Sequence, residues 1–124
     1  MILRVVGATK LLTGEKSQFC FPCRNGMVLN GDAIVSRHGD GRAVCKAGSW
    51  YTFGERSITP TMGRVKVVGV EVLEYASDLT EEEARAEGYA SVEEFRAGYA
   101  KEYGAVYLDR PCFKLTLAEA RMAT

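Results

Sequence analysis

A chain of 124 residues, 47% apolar and 26% charged, has the composition of an ordinary globular protein, and its length suits one hydrophobic core that folds without disulfide staples. No stretch approaches the roughly 20 apolar residues needed to cross a bilayer. The start, Met1 to Gly7, is too short and too soon interrupted for a secretory signal, so a cytoplasmic protein with no membrane partner is expected. The formal net charge is zero but unevenly spread: residues 1–76 carry ten Lys/Arg against six Asp/Glu, and residues 77–124 carry six against ten. A moderately basic body with an acidic appendage is compatible with nucleic-acid binding, yet falls well short of a strongly basic protein.

In chain order, Ile2 to Val6 reads as a short buried strand. Ala8 to Leu12 reads as a turn of helix closed by Gly14. Glu15 to Gly26 mixes polar residues with a Phe-Cys-Phe-Pro-Cys cluster and reads as a loop. Met27-Val28-Leu29, a turn at Asn30-Gly31-Asp32 and a strand over Ala33 to Arg37 follow. Gly39-Asp40-Gly41 is a hairpin signal, with Arg42 to Lys46 as the returning arm. Trp50 to Phe53 is a further short strand. Arg64 to Tyr75 is the clearest strand, its valines alternating with polar residues and switching face near Gly69, which predicts a bulge.

Beyond Ser77 the period becomes helical. Thr80 with Glu83, and Ser91 with Glu94, have capping-box spacing, so helices are expected over about Glu81 to Glu87 and Val92 to Tyr103. Val92, Phe95, Tyr99 and Tyr103 recur at three and four residues and form one buried face. Cys112 to Leu117 alternates as a closing strand with Phe113, Leu115 and Leu117 inward, and Ala118 to Thr124 reads as a tail.

The segment Leu79 to Phe95 followed by Tyr103-Gly104 resembles the helical insertion of ASCH domains, small PUA-like proteins. It follows a Val-rich strand and precedes a final strand, as in that family. Gly14-Glu15-Lys16-Ser17 is similar to the family's Gly-x-Lys-Ser/Thr motif, and Gly31-Asp32 to its Gly-Asp turn. The resemblance implies an α+β fold: a small PUA-like mixed or antiparallel β-barrel, with a short N-terminal helix and a helix pair inserted before the last strand. One domain over residues 1–124 is expected, with the insertion at about 79–104. Some members act as ribonucleases or as amidohydrolases of acylated cytidines through a Lys, a Thr and a Glu. Lys16 matches that Lys; Phe19 stands where some members carry the Thr, with Ser17 close by; Glu71 or Glu74 is the candidate carboxylate.

Three readings follow. The leading one is a module that binds RNA or a nucleotide in a basic groove between barrel and helices. Lys16, Arg24, Arg64 and Lys66 are then phosphate contacts, and Phe21 or Trp50 a stacking surface. The second is a small hydrolase acting on RNA or an acylated cytidine, with Lys16, Ser17 and Glu71 or Glu74 as its machinery. The third is a zinc-stabilised interaction domain. Two thiolates at Cys20-x-x-Cys23 can grip one ion, with Cys45 and His38, the only histidine, as further ligands. Against it, unpaired cysteines pack well as small hydrophobes, so buried thiols and no cofactor are expected.

Overall fold

The computed structural model describes residues 2–23, 26–37, 43–56 and 60–122. Among these residues eight strands form two sheets: β1 (Ile2–Val5), β2 (Gln18–Pro22), β3 (Met27–Asn30), β4 (Ala33–Ser36), β5 (Ala43–Lys46), β6 (Trp50–Glu55), β7 (Gly63–Leu73) and β8 (Cys112–Met122). The larger sheet has the order β1-β6-β7-β8-β2 and the smaller the order β3-β4-β5. The β1–β6 pair is parallel and every other pair antiparallel, so the sheet is mixed. The helices are α1 (Thr9–Thr13), α2 (Glu81–Ala86) and α3 (Val92–Tyr103), with two short 3-10 turns at Ala76–Asp78 and Ala105–Asp109. This is the α+β arrangement expected, with one short helix near the start and two before the last strand. No helix among the described residues is long and apolar enough to cross a membrane.

Strand alternation builds the main core. Leu3 and Val5 of β1, Phe53 of β6, Val65 and Val67 of β7, and Phe113, Leu115 and Leu117 of β8 point to one side and pack with Ile34 and Cys45 of the smaller sheet. The bulge expected near Gly69 is present as a register shift between Val67 and Gly69. It lets Val67 and Val70, three apart, both face inward.

Two regions depart from the sequence reading. Residues 18–22 form a strand: they pair with β8 from Gln18↔Thr116 to Pro22↔Cys112. Pro22 is tolerated because β2 lies at a sheet edge. At the other end, β8 runs on to Met122. Its outer half reads as an irregular tail because a second register shift, opposite Arg64 and Lys66, breaks the alternation.

The helix pair packs on the outer side of β2 and β8. Cys20 and Cys112 join Ala76, Leu79, Ala84, Val92, Phe95 and Tyr99 in a second buried cluster. Thr80 and Glu83 cap α2 reciprocally, as the spacing predicts. Ser91 accepts from the Glu94 amide, but the Glu94 carboxylate reaches Ala90 N instead of closing the box. Lys114 of β8 ties sheet to helix through Glu83 at 2.9 Å and pairs across the sheet with Glu71 of β7 at 3.0 Å. Burial works against the Lys114 charge, but its hydrogen bonds to the two carboxylates outweigh that and push its pKa up to about 12.

Candidate functional site

The segment from α1 to β2 meets the C-terminal end of α2. A helix end exposes carbonyls with no partner of their own and a partial negative charge. Here three donors satisfy them: Ser17 N on Ala86 O at 2.8 Å, Lys16 Nζ on Glu87 O at 2.6 Å and Lys10 Nζ on Gly88 O at 2.6 Å. Gly88 takes a left-handed φ of 90° and brings the chain close over both lysine stems. The Gly14-Glu15-Lys16-Ser17 motif therefore has a definite physical task, docking the helix pair onto the sheet. Gly14 itself closes α1 at φ 82°.

Lys16 is 5% exposed and Glu87 5%. Their charged groups lie 3.7 Å apart, and Glu87 Oε1 also accepts from Cys20 N at 3.2 Å. Burial lowers the Lys16 pKa from its ordinary value, with the nearby Glu87 charge offsetting part of the effect. Two buried polar atoms have no hydrogen-bond partner among the described residues: Glu87 Oε2, within the pair itself, and the Tyr99 hydroxyl. Both residues line one cleft between β2 and the helices, with Lys16, Phe19, Cys20, Tyr89, Phe95 and Tyr103 among its walls.

The wall is shaped by a glycine inside α3. Gly98 costs roughly 0.5–1 kcal/mol of helix propensity relative to alanine. A Cβ there would lie 2.5 Å from the Tyr89 hydroxyl, so its absence admits the Tyr89 ring. At the mouth, Glu102 of α3 forms an ion pair with Arg56, whose guanidinium sits 4.8 Å from the Tyr103 ring centre. The cleft is narrow, about 20 Å³, room for about one water molecule.

The sequence-derived candidates divide. Lys16 is in the cleft, and the carboxylate within reach of it is Glu87. Glu71 pairs instead with Lys114, and Glu74 is exposed. Ser17 is exposed and lines a different groove, beside Leu117 and Glu119. Phe21 is partly buried, 5.2 Å from Phe19 and 5.4 Å from Phe113 between ring centres, and packs against the main core. Trp50, Arg64 and Lys66 share a sheet face elsewhere. Arg24 and His38 lie outside the described residues.

Cys45 is in the main core and Cys20 in the helix-side cluster. Among the described residues no three His, Cys, Asp or Glu side chains gather to hold a metal ion. Burial pushes the Cys23 and Cys45 thiols up to about 11.

Glu87 is the residue that sequence reasoning missed. A carboxylate just past the last turn of a helix sits at the wrong end of the dipole, and that local conflict was the available signal.

No family model and no curated protein matches the chain. Solved structures do. A DUF984-family protein from Enterococcus faecalis V583 superposes with a TM-score of 0.61 at 16% identity, over 92% of this chain and 66% of that one. An ASCH domain from Lactobacillus crispatus JV V101 gives a TM-score of 0.60 at 15% identity, over 94% of this chain and 70% of that one. The fold is ASCH-like. This chain is the shorter partner in both comparisons, and at such identities the ASCH-like match concerns the fold alone.

Proposed function

We propose that the cleft between β2 and the helix pair binds a nucleoside or nucleotide, with the Lys16–Glu87 pair at its floor. The observation that carries this reading is the pair of orphaned buried atoms, Glu87 Oε2 and the Tyr99 hydroxyl, flanking a desolvated lysine in one cleft. A buried polar atom without a partner costs about 1–3 kcal/mol, so these two offer hydrogen bonds to a water or a ligand that enters the cleft. A carboxylate oxygen and a phenol offer an acceptor and a donor to a base edge. The walls supplied by Phe19, Tyr89, Phe95 and Tyr103 are ring faces and edges suited to a flat heterocycle. A ligand larger than water has to displace the half-buried Tyr89 and Tyr103 rings.

The lowered Lys16 pKa favours a second reading, hydrolysis of an acyl group on cytidine. A lysine that gives up its proton more readily than usual, held against a carboxylate, suits proton transfer to a leaving amine. In that reading Lys16 and Glu87 are the acid–base pair.

Calorimetric titration with the four nucleoside 5′-monophosphates and cytidine tests the first reading. Binding that falls at least about tenfold in Lys16→Met and Tyr99→Phe supports it. Absence of binding by all five ligands at millimolar concentration removes it. Release of free cytidine from an acylated cytidine, lost in Glu87→Gln, separates the second reading from simple binding.

A further inference from the structure

The outer face of the larger sheet carries a second, differently built patch. Register places Trp50 opposite Lys66, Thr52 opposite Arg64 and Arg64 opposite Arg121, so these side chains stand on one face of β6, β7 and β8. The Arg121 guanidinium lies 5.0 Å from the Trp50 ring centre and that of Arg64 lies 5.9 Å from it. Trp50, Arg64 and Arg121 line one broad open depression with Thr52, Thr61 and Gly63. Among the described residues no carboxylate lies within 4 Å of Arg64, Lys66 or Arg121, whereas Lys16, Arg56 and Lys114 all have acidic partners.

A backbone irregularity brings Arg121 to this face. Two steps on β7, Arg64 to Lys66, face three on β8, Ala118 to Arg121. The extra residue is Glu119, at φ 56° the sole described non-glycine residue in the left-handed region. Strict alternation after the inward Leu117 would send Arg121 into the core; the bulge turns Ala120 inward and Arg121 outward. Backbone strain of this kind clusters at functional sites, and bulges beside them re-aim side chains. Gly63 belongs to the same arrangement, since a Cβ there would lie 1.9 Å from Arg121 O.

We propose that this face binds single-stranded nucleic acid, one base stacking on Trp50 and the Arg planes while Arg64, Lys66 and Arg121 take consecutive phosphates. Arg64 and Lys66, two residues apart on a strand, stand about 7 Å apart, comparable with successive phosphates on an extended strand. A flat open depression suits an unstacked base on a polymer, and guanidinium planes stack bases as aromatic rings do. The site stands independently of the cleft and is distinct from it in every lining residue.

Trp50 is the only tryptophan, so its fluorescence reads the site directly. Titration of the full chain with 12-nucleotide oligouridylate and oligothymidylate should quench it. The affinity should fall with salt at a logarithmic slope of about −2, as three phosphate contacts on a single strand predict. Arg121→Gln and Arg64→Gln should each weaken binding several-fold, and Trp50→Ala, followed by gel shift, about tenfold or more. Quenching by both oligomers supports a backbone-and-stacking site; quenching by oligouridylate alone supports the same site with a ribose contact. No quenching at low salt overturns the proposal, as does unchanged binding by Arg121→Gln. Equal or tighter binding of a blunt duplex also overturns it, and so does loss of binding in Lys16→Met with Arg121→Gln unaffected, which would move the polymer to the cleft.

Discussion

Lys16 and Arg121 are both cations carried close to strands of the larger sheet, and the molecule treats them in opposite ways. Lys16 is buried, bonded to a helix-end carbonyl and held 3.7 Å from Glu87. Arg121 is exposed, has no described carboxylate within 4 Å, and lies over an indole ring. A buried cation is costly to separate from its partner and is suited to a small enclosed ligand. An exposed one contributes little to folding and stays available to a polyanion. Position relative to the helix pair, rather than residue type, decides which of the two is buried.

The sharpest way to break this contrast is to remove one partner on the buried side. Glu87→Gln leaves the Lys16 ammonium in a desolvated site with a weaker partner, and urea denaturation should show a loss approaching the roughly 3–5 kcal/mol typical of broken buried pairs. Adding Lys16→Met to that variant should recover part of it. On the exposed side the largest effect should come from backbone crowding. Gly63→Ala forces β7 and β8 apart at Arg121 O, and about 1–3 kcal/mol should be lost together with the Trp50 emission maximum of the wild type.

Glu83→Gln is intermediate, because it removes one of two carboxylates from Lys114. A loss of about 1.5 kcal/mol is expected in thermal unfolding. Glu83 has its pKa lowered: burial acts to raise it, but hydrogen bonds from Lys114 and from the Thr80 backbone prevail. Its contribution is therefore present above the ordinary value of 4.5 and lost as pH falls through the lowered one. Lys16 changes stability with pH in the same direction, but in the alkaline range. Its lowered pKa means that folding releases a proton there, so stability from this residue should rise as pH climbs toward 10.5, and Lys16→Met should flatten that rise. Smallest of all, Arg121→Gln and Arg64→Gln should change stability by no more than about 0.5 kcal/mol, because neither holds a buried partner.

Much of this architecture was legible in residue pattern. The Val-rich strand with its bulge, the α2 capping box, the aromatic face of α3 and the inward Phe113, Leu115 and Leu117 are local periodicities, and local periodicity is what a sequence records directly. Residues 18–22 were hidden because their strand identity comes from pairing with a segment almost a hundred residues later. The end of β8 was hidden because one left-handed residue interrupts the alternation that marks a strand.

The candidate site divides along the same line. The sequence alone determined that Lys16 sits in a motif after a short helix, that Trp50 and Lys66 lie on strands, and that Thr80 and Ser91 cap the helices that follow them. Only the tertiary structure decided that the partner of Lys16 is Glu87, seventy-one positions away, and that Trp50, Arg64 and Arg121 share a face outside the cleft. The physical reason is that an ion pair or a stacked cluster depends on distance in space. Strand register and helix docking set that distance, and neither is written in the neighbourhood of any one residue.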